Sequence, residues 1–460
     1  VAFAFKEGIT MNLSYKTFIL FLVFSTTIFN SCTRNEAPSN ELESKMNKIA
    51  EAYVKLALKV GQHDPDFIDY YYGPGEWKPP ELKHDGTDTL IHKQLDEETD
   101  SLLNEMDNLG NYKATELQRL RYRFLYKQLL AVKAKIFMLS GGNLSFDEES
   151  KALYDAVSPG NSEEYYEKIL KSIDDALPGK GDISKRFEDF RSSFIIPPEK
   201  LDTVYKAAIN ECRKRTLSHI KLPSNENFKV EFVTGKPWSA YNWYKGNSFS
   251  LIQVNTNLPT YIDKAIDLAA HEGYPGHHVY NALLEKNLYR EHGWVEFSVY
   301  VLFSPQSLIA EGTANYGIKV AFPGDSRIKF EREVLFPLAG LDSAKAEGYY
   351  KILDIMEKLD YAWNEAARNY LDGKWTRDEA KNYLVKYCLF TPERAEQGLR
   401  FADKYRSYVI NYNLGQDIVK DYVEKKGGSD DNPERRWELF EYLLSTPQTP
   451  SGLSLASDKN

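Results

Sequence analysis

Cysteine is scarce in this chain, with three in 460 residues. Cys32 stands near the N-terminus, so Cys212 and Cys388 could form at most one cross-link, too little to define a fold of this size. The same scarcity excludes a zinc site built on clustered thiolates, and the lack of soft ligands argues against copper. Basic tracts are missing as well. Asp and Glu outnumber Lys and Arg by 67 to 58, for a formal charge of -9, and no run of cations interleaved with aromatics occurs, which argues against a nucleic-acid partner. No Gly-x-x-x-x-Gly-Lys loop is present to cradle phosphates.

The run of interest for targeting is Phe18 to Phe29, largely apolar and preceded by Met11-Asn12-Leu13-Ser14-Tyr15-Lys16. It has signal-peptide length and is too short for a stable membrane-spanning helix. Cys32 follows Asn30-Ser31, the pattern of a bacterial lipoprotein cleavage site. We therefore expect residues 1–31 to be a signal peptide, with 1–10 an over-extended start, and Cys32 to carry a lipid. Residues 32–43 would be the tether, anchored to a lipid bilayer in the cell envelope.

Aromatics are plentiful, 31 Tyr and 24 Phe, and suit both a helical core and a groove for peptides. Helix spacing dominates the chain, for example from Thr115 to Leu139, stopping at Gly141-Gly142. The expected fold is predominantly α-helical, with an N-terminal helical region over 44–225, a catalytic region over 226–446 and a flexible tail over 447–460. One stretch departs from helix spacing. Phe228 to Val233 alternates at period two, Ser239 to Tyr244 is rich in aromatics, and Ser248 to Val254 is a third strand candidate after Gly246-Asn247. A helix over Asp263–Ala270 and a second from about Val295 to Val320 follow. The run Tyr70-Tyr71-Tyr72-Gly73-Pro74-Gly75 reads as a turn.

Histidine numbers only eight, yet three fall in His271-Glu272-Gly273-Tyr274-Pro275-Gly276-His277-His278. Zinc takes imidazole nitrogens and carboxylate oxygens, and a glutamate beside it can serve as a base. The usual His-Glu-x-x-His spacing puts two histidines one helical turn apart. Here the second lies six residues on, about 9 Å along an unbroken helix at roughly 1.5 Å per residue. Pro275 breaks that helix and Gly276 is free in φ, so a bulge could fold His277 back over His271 around Glu272. His278 would then face the substrate or support a ligand, and the spacing leaves it open as the alternative second ligand. Glu311, an acidic residue in a nearly uncharged stretch from Phe297 to Tyr316, is the third candidate, because a buried carboxylate needs a partner.

These residues resemble the DUF885 family of bacterial proteins, which is placed with the zincin-like metallopeptidases. Its His-Glu-x-x-Pro-Gly-His-His run matches residues 271–278 in full, and its Glu-Gly-Trp-Ala-x-Tyr matches Glu311 to Tyr316 with Thr313 in place of Trp. Weaker echoes run through Trp375 to Ala380 and Tyr408 to Gly415, so the likeness covers residues from about 230 to 430. The resemblance implies a zincin-like fold, one zinc per chain on His271, His277 and Glu311, and Glu272 as base.

The expected reaction is hydrolysis of peptide bonds, with peptides as substrate. Tyr408 or Tyr412 would donate to the oxyanion, Arg406 would hold a substrate carboxylate, and Asn255 would contact substrate backbone beside an edge strand able to pair with it. His, His and Glu would also suit iron in an oxygenase, but Glu272 beside the pair favours hydrolysis. The competing reading is an exported lipoprotein that binds peptides or envelope polymer, with a structural metal.

Overall fold

The computed structural model describes residues 40–82, 89–110, 112–236, 238–257 and 259–457. The expected signal peptide and Cys32 lie outside the described residues. Helix starts follow local chemistry. Thr115, Ser145 and Thr376 each accept from the backbone N–H three residues on, while Gln118, Glu148 and Glu379 reach back to the cap, opening helices Glu116–Leu139, Phe146–Tyr154 and Arg377–Tyr387. The Trp375 to Ala380 echo is thereby a helix start, with Trp375 packed on Tyr383.

Among the described residues five strands interrupt the helices: β1 (Ile68–Tyr71), β2 (Asn227–Val233), β3 (Ala240–Tyr244), β4 (Phe249–Asn255) and β5 (Val299–Val301). β4 is central in a three-stranded sheet, parallel to β2 and antiparallel to β3. Gly246, Asn247 and Ser248 take positive φ to turn β3 into β4. β1 pairs with β5, so the expected turn at Tyr70 begins as a strand, and the helix expected from Val295 is divided. A short turn over Val295–Ser298 leads into β5, and the helix begins at Pro305, whose fixed φ suits a first helical turn.

One apolar core takes residues from Leu42 to Leu453, crossing position 225, within a unit that runs from Ser39 to Asn460. A second cluster joins the helices Glu163–Ala176, Ala346–Met356, Tyr361–Leu371 and Arg377–Tyr387. The first described helix, Asn40–Val60, takes in the end of the expected tether because Leu42 is buried and Glu43 pairs with Arg121. The tail also departs from expectation. Pro450–Ser457 is a helix, secured by the Ser451 N–H donating to Asp155 and by burial of Leu453. No helix among the described residues is long and apolar enough to cross a membrane.

Candidate metal centre

The histidine segment begins where the helix Asp263–Leu268 widens into a π-helical turn over Ala269–Gly273. The Tyr274 N–H donates to the Ala269 carbonyl at 3.0 Å and the Gly276 N–H to the Ala270 carbonyl at 2.9 Å, so the chain doubles back instead of advancing. The Tyr274–Pro275 peptide is cis. A Cβ at Gly276 would lie 1.9 Å from the His271 carbonyl oxygen, so only glycine fits. A new helix, His277–Leu284, then starts with its first side chain beside His271, and the two imidazole centroids are 4.6 Å apart at 89°.

Glu311 comes from the helix Pro305–Ala321. Its Oε2 lies 3.2 Å from His271 Nε2 and 3.6 Å from His277 Nε2, and the three residues form a cluster able to hold a metal ion. Oε1 accepts a hydrogen bond from the Tyr408 hydroxyl at 2.8 Å, whereas Oε2 is buried without a hydrogen-bond partner. A buried oxygen of that kind costs about 1–3 kcal/mol unless something satisfies it. His, His and carboxylate around it are the donor set of a zinc site, and the residues fit that ion.

Other residues orient the cluster. His271 Nδ1 faces Asn315 Oδ1 at 2.8 Å, which leaves Nε2 as the ligand nitrogen, and Asn315 Nδ2 donates to the Tyr412 carbonyl at 2.8 Å. Glu311 and Asn315 are four apart and share a helix face. The helix Ile410–Lys425 lies directly against this one. A Cβ on Gly312 would come 2.3 Å from the Gly415 carbonyl oxygen, and one on Gly415 would come 2.6 Å from that of Leu308. Gly317 similarly admits the ring of Pro275. Thr313 is buried and donates to the Ile309 and Ala310 carbonyls. At about 100° per residue it points away from Glu311 and stands off the ligand face.

The sheet is stitched to the same segment. Asn242 of β3 donates to the Glu272 carbonyl at 2.6 Å, and Glu285 accepts from the Asn247 and Ser248 N–H groups in the β3–β4 turn. Glu272 itself is buried, which raises its pKa against the pull of His271 and His277. Burial opposes a charge on His271, yet Glu311, Glu272 and Asn315 raise its pKa to about 9. Burial also opposes ionisation of Glu311, but His277 and His271 outweigh it and hold the carboxyl low.

His278 does not join the cluster. The turn that brings His277 to His271 sends its neighbour to the other side, where Nδ1 meets Ser250 at 2.9 Å and Nε2 meets Glu226 at 3.2 Å, fully buried. Tyr274 and Arg213 also donate to Glu226, at 2.5 Å each. This network ties the segment to the sheet.

Arg406 donates to Glu149 at 2.5 Å. Asn255 gives its amide hydrogens to the Lys236 and Trp238 carbonyls and accepts from the Asn257 N–H, a turn role. Tyr408 is committed to Glu311. Tyr412 has no hydroxyl partner among the described residues, and burial, reinforced by Glu311 and Glu272, keeps it protonated. Asn315 was missed as a functional residue, although its spacing from Glu311 was there to find it.

No family model matches the chain, that of the DUF885 family included, and no curated protein matches it. Among the solved structures similar to the chain are two at low identity. A candidate lipoprotein from Colwellia psychrerythraea is 14% identical with a TM-score of 0.48, over 80% of this chain and 70% of that one. The M32 carboxypeptidase from Deinococcus radiodurans R1 is 11% identical with a TM-score of 0.44, over 91% and 95% respectively. The site is therefore read from its own geometry: a mostly helical protein with small sheets and a buried His-His-Glu cluster able to hold a metal.

Proposed function

We propose that this chain is a zinc-dependent peptidase of the zincin-like kind, acting on short peptides, with one zinc held by His271, His277 and Glu311. The observation that carries this reading is the buried Glu311 Oε2, without a hydrogen bond and facing two imidazole nitrogens, with Glu272 next to the first of them. Bound zinc would supply Lewis acidity toward a carbonyl and acidify water toward neutral pH. Glu272 takes a proton from water and returns it to the leaving amine. Tyr412 donates to the developing oxyanion. Tyr408 and Asn315 hold the ligands in place, and the outer edge of β3 offers backbone groups to an extended peptide.

Elemental analysis should find about one zinc per chain, lost in His271→Ala. Glu272→Gln should keep the metal and the fold while hydrolysis collapses. Failure to bind metal after zinc supplementation would overturn the proposal, and metal without hydrolysis of any peptide would turn the reading to a binding protein with a structural ion. Signal-peptide export through residues 1–31 and lipidation of Cys32, hence a place in the bacterial envelope, belong to the same proposal. Mass measurement of the mature N-terminal peptide tests them.

A further inference from the structure

β1 carries an irregularity in its pairing with β5. Ile68 pairs with Val301 and Tyr70 with Tyr300, and the register shifts between them, which makes Asp69 the extra residue of a bulge. A bulge re-aims its side chain out of the strand's alternation. Tyr241, from the outer strand β3, donates its hydroxyl hydrogen to Asp69 Oδ1. Among the described residues no Lys or Arg pairs with this carboxylate. Lys404 lies 3.0 Å from Asp66, and Lys245, within electrostatic reach of Asp69, sits over the Trp243 ring at 5.3 Å and makes no ion pair with Asp69.

Asp69 lies within electrostatic reach of the metal centre: burial raises its pKa to about 6 against the hydrogen bond from Tyr241 and the pull of His277 and Lys245, and Glu311 adds to the rise. Aromatic rings stand around Tyr241. Tyr241 packs on Trp243 at 4.5 Å and on Trp238 at 5.7 Å, and Tyr405 and Tyr300 lie within electrostatic reach of Tyr241. A carboxylate with one oxygen held by a tyrosine, the other left without a cation, and π faces close by is a site for an ammonium group, which gains a charge-assisted hydrogen bond and ring contacts together.

We propose that Asp69, steadied by Tyr241, is the subsite for a primary ammonium group of the substrate, so that a peptide is gripped by an amine while its backbone lies along β3. The ammonium is either the α-amine of a short peptide or a lysine side chain. This inference rests on the peptidase reading above and extends it to substrate class.

The test is calorimetric titration of the full chain carrying Glu272→Gln, with and without zinc, using trialanine, N-acetyl-trialanine and N-acetyl-Ala-Lys-Ala. Trialanine should bind at least about tenfold more tightly than its acetylated form, the range of a hydrogen bond to a charged group. Asp69→Asn should erase that preference, and Tyr241→Phe, which keeps the carboxylate, should retain it. N-acetyl-Ala-Lys-Ala binding as tightly as trialanine would identify the side-chain amine as an accepted source, and weak binding would restrict the site to the α-amine. Equal binding of all three peptides, a preference that survives Asp69→Asn, or no binding at all would overturn the subsite. An amine preference in a protein that, with Glu272 restored, hydrolyses nothing would instead overturn the peptidase reading and leave the subsite standing.

Discussion

Arg121 and Glu311 anchor two buried charge clusters that differ in how they end. Arg121 is fully buried and donates to both oxygens of Glu296, at 2.6 and 3.1 Å, and to Glu43 at 2.7 Å. Trp294 lies on the guanidinium face at 4.5 Å and donates to Glu43 at 2.6 Å. Each of these charges meets its opposite within the chain. Around Glu311, Tyr408 satisfies one oxygen and the other faces two imidazoles with no hydrogen bond. The first cluster is complete as protein and serves the fold. The second sets an oxygen without a hydrogen bond before two imidazoles that can give up their protons to a metal, and that is how a candidate site differs from a strut.

The sharpest way to press the contrast is at Glu272. Glu272→Gln should lower peptide hydrolysis by roughly 10²–10⁴-fold, the span of a general base, with zinc content unchanged by elemental analysis. Arg121→Met should cost about 3–5 kcal/mol in urea unfolding, because it strands Glu296 as an uncompensated buried charge. In the metal-free protein, Glu311→Gln should cost less stability than Arg121→Met, because His271 can release its proton once the carboxylate is gone; an equal loss would erase the distinction between the clusters. Asn315→Ala should weaken zinc binding about 10–100-fold in competition with a chelator, by freeing the His271 ring to rotate.

The smallest expected effect concerns acid stability. Burial alone would raise the Glu226 pKa, but hydrogen bonds from His278, Tyr274 and Arg213 bring it to about 2 from an ordinary 4.5. The folded state therefore favours the ionised form. That stabilisation is full above pH 4.5 and is lost as pH falls toward 2. Glu226→Gln should flatten the fall in unfolding free energy across this window while leaving the slope above it unchanged.

The parts legible in the sequence were those written in short spacings. Pro275 and Gly276 announced that the histidine helix must break, and the isolated charge of Glu311 announced a buried partner. The strands ahead of the segment were visible from period-two alternation, although not the parallel pairing of β2 with β4, which local pattern does not encode. β1 was hidden because its partner β5 lies far along the chain and Tyr72-Gly73-Pro74 looks like a turn from its first tyrosine onward. Asp69 was hidden with it. The partners of Arg406 and Asn255, Glu149 and the loop ahead of β3, were hidden too, because tertiary packing sets them.

Gly312 and Gly415 touch backbone to backbone, and no side chain stands between them to absorb a displacement. Inheritance of the site is therefore stricter than inheritance of its histidines. A descendant could preserve His271, Glu272, His277 and Glu311 and still gain a single methyl group at either glycine. Its two helices would part, Tyr408 would lose Glu311 and Asn315 would lose the Tyr412 carbonyl. Such a chain would carry the signature as a relic, and its metal affinity, more than its motif, would tell which lineage it belongs to.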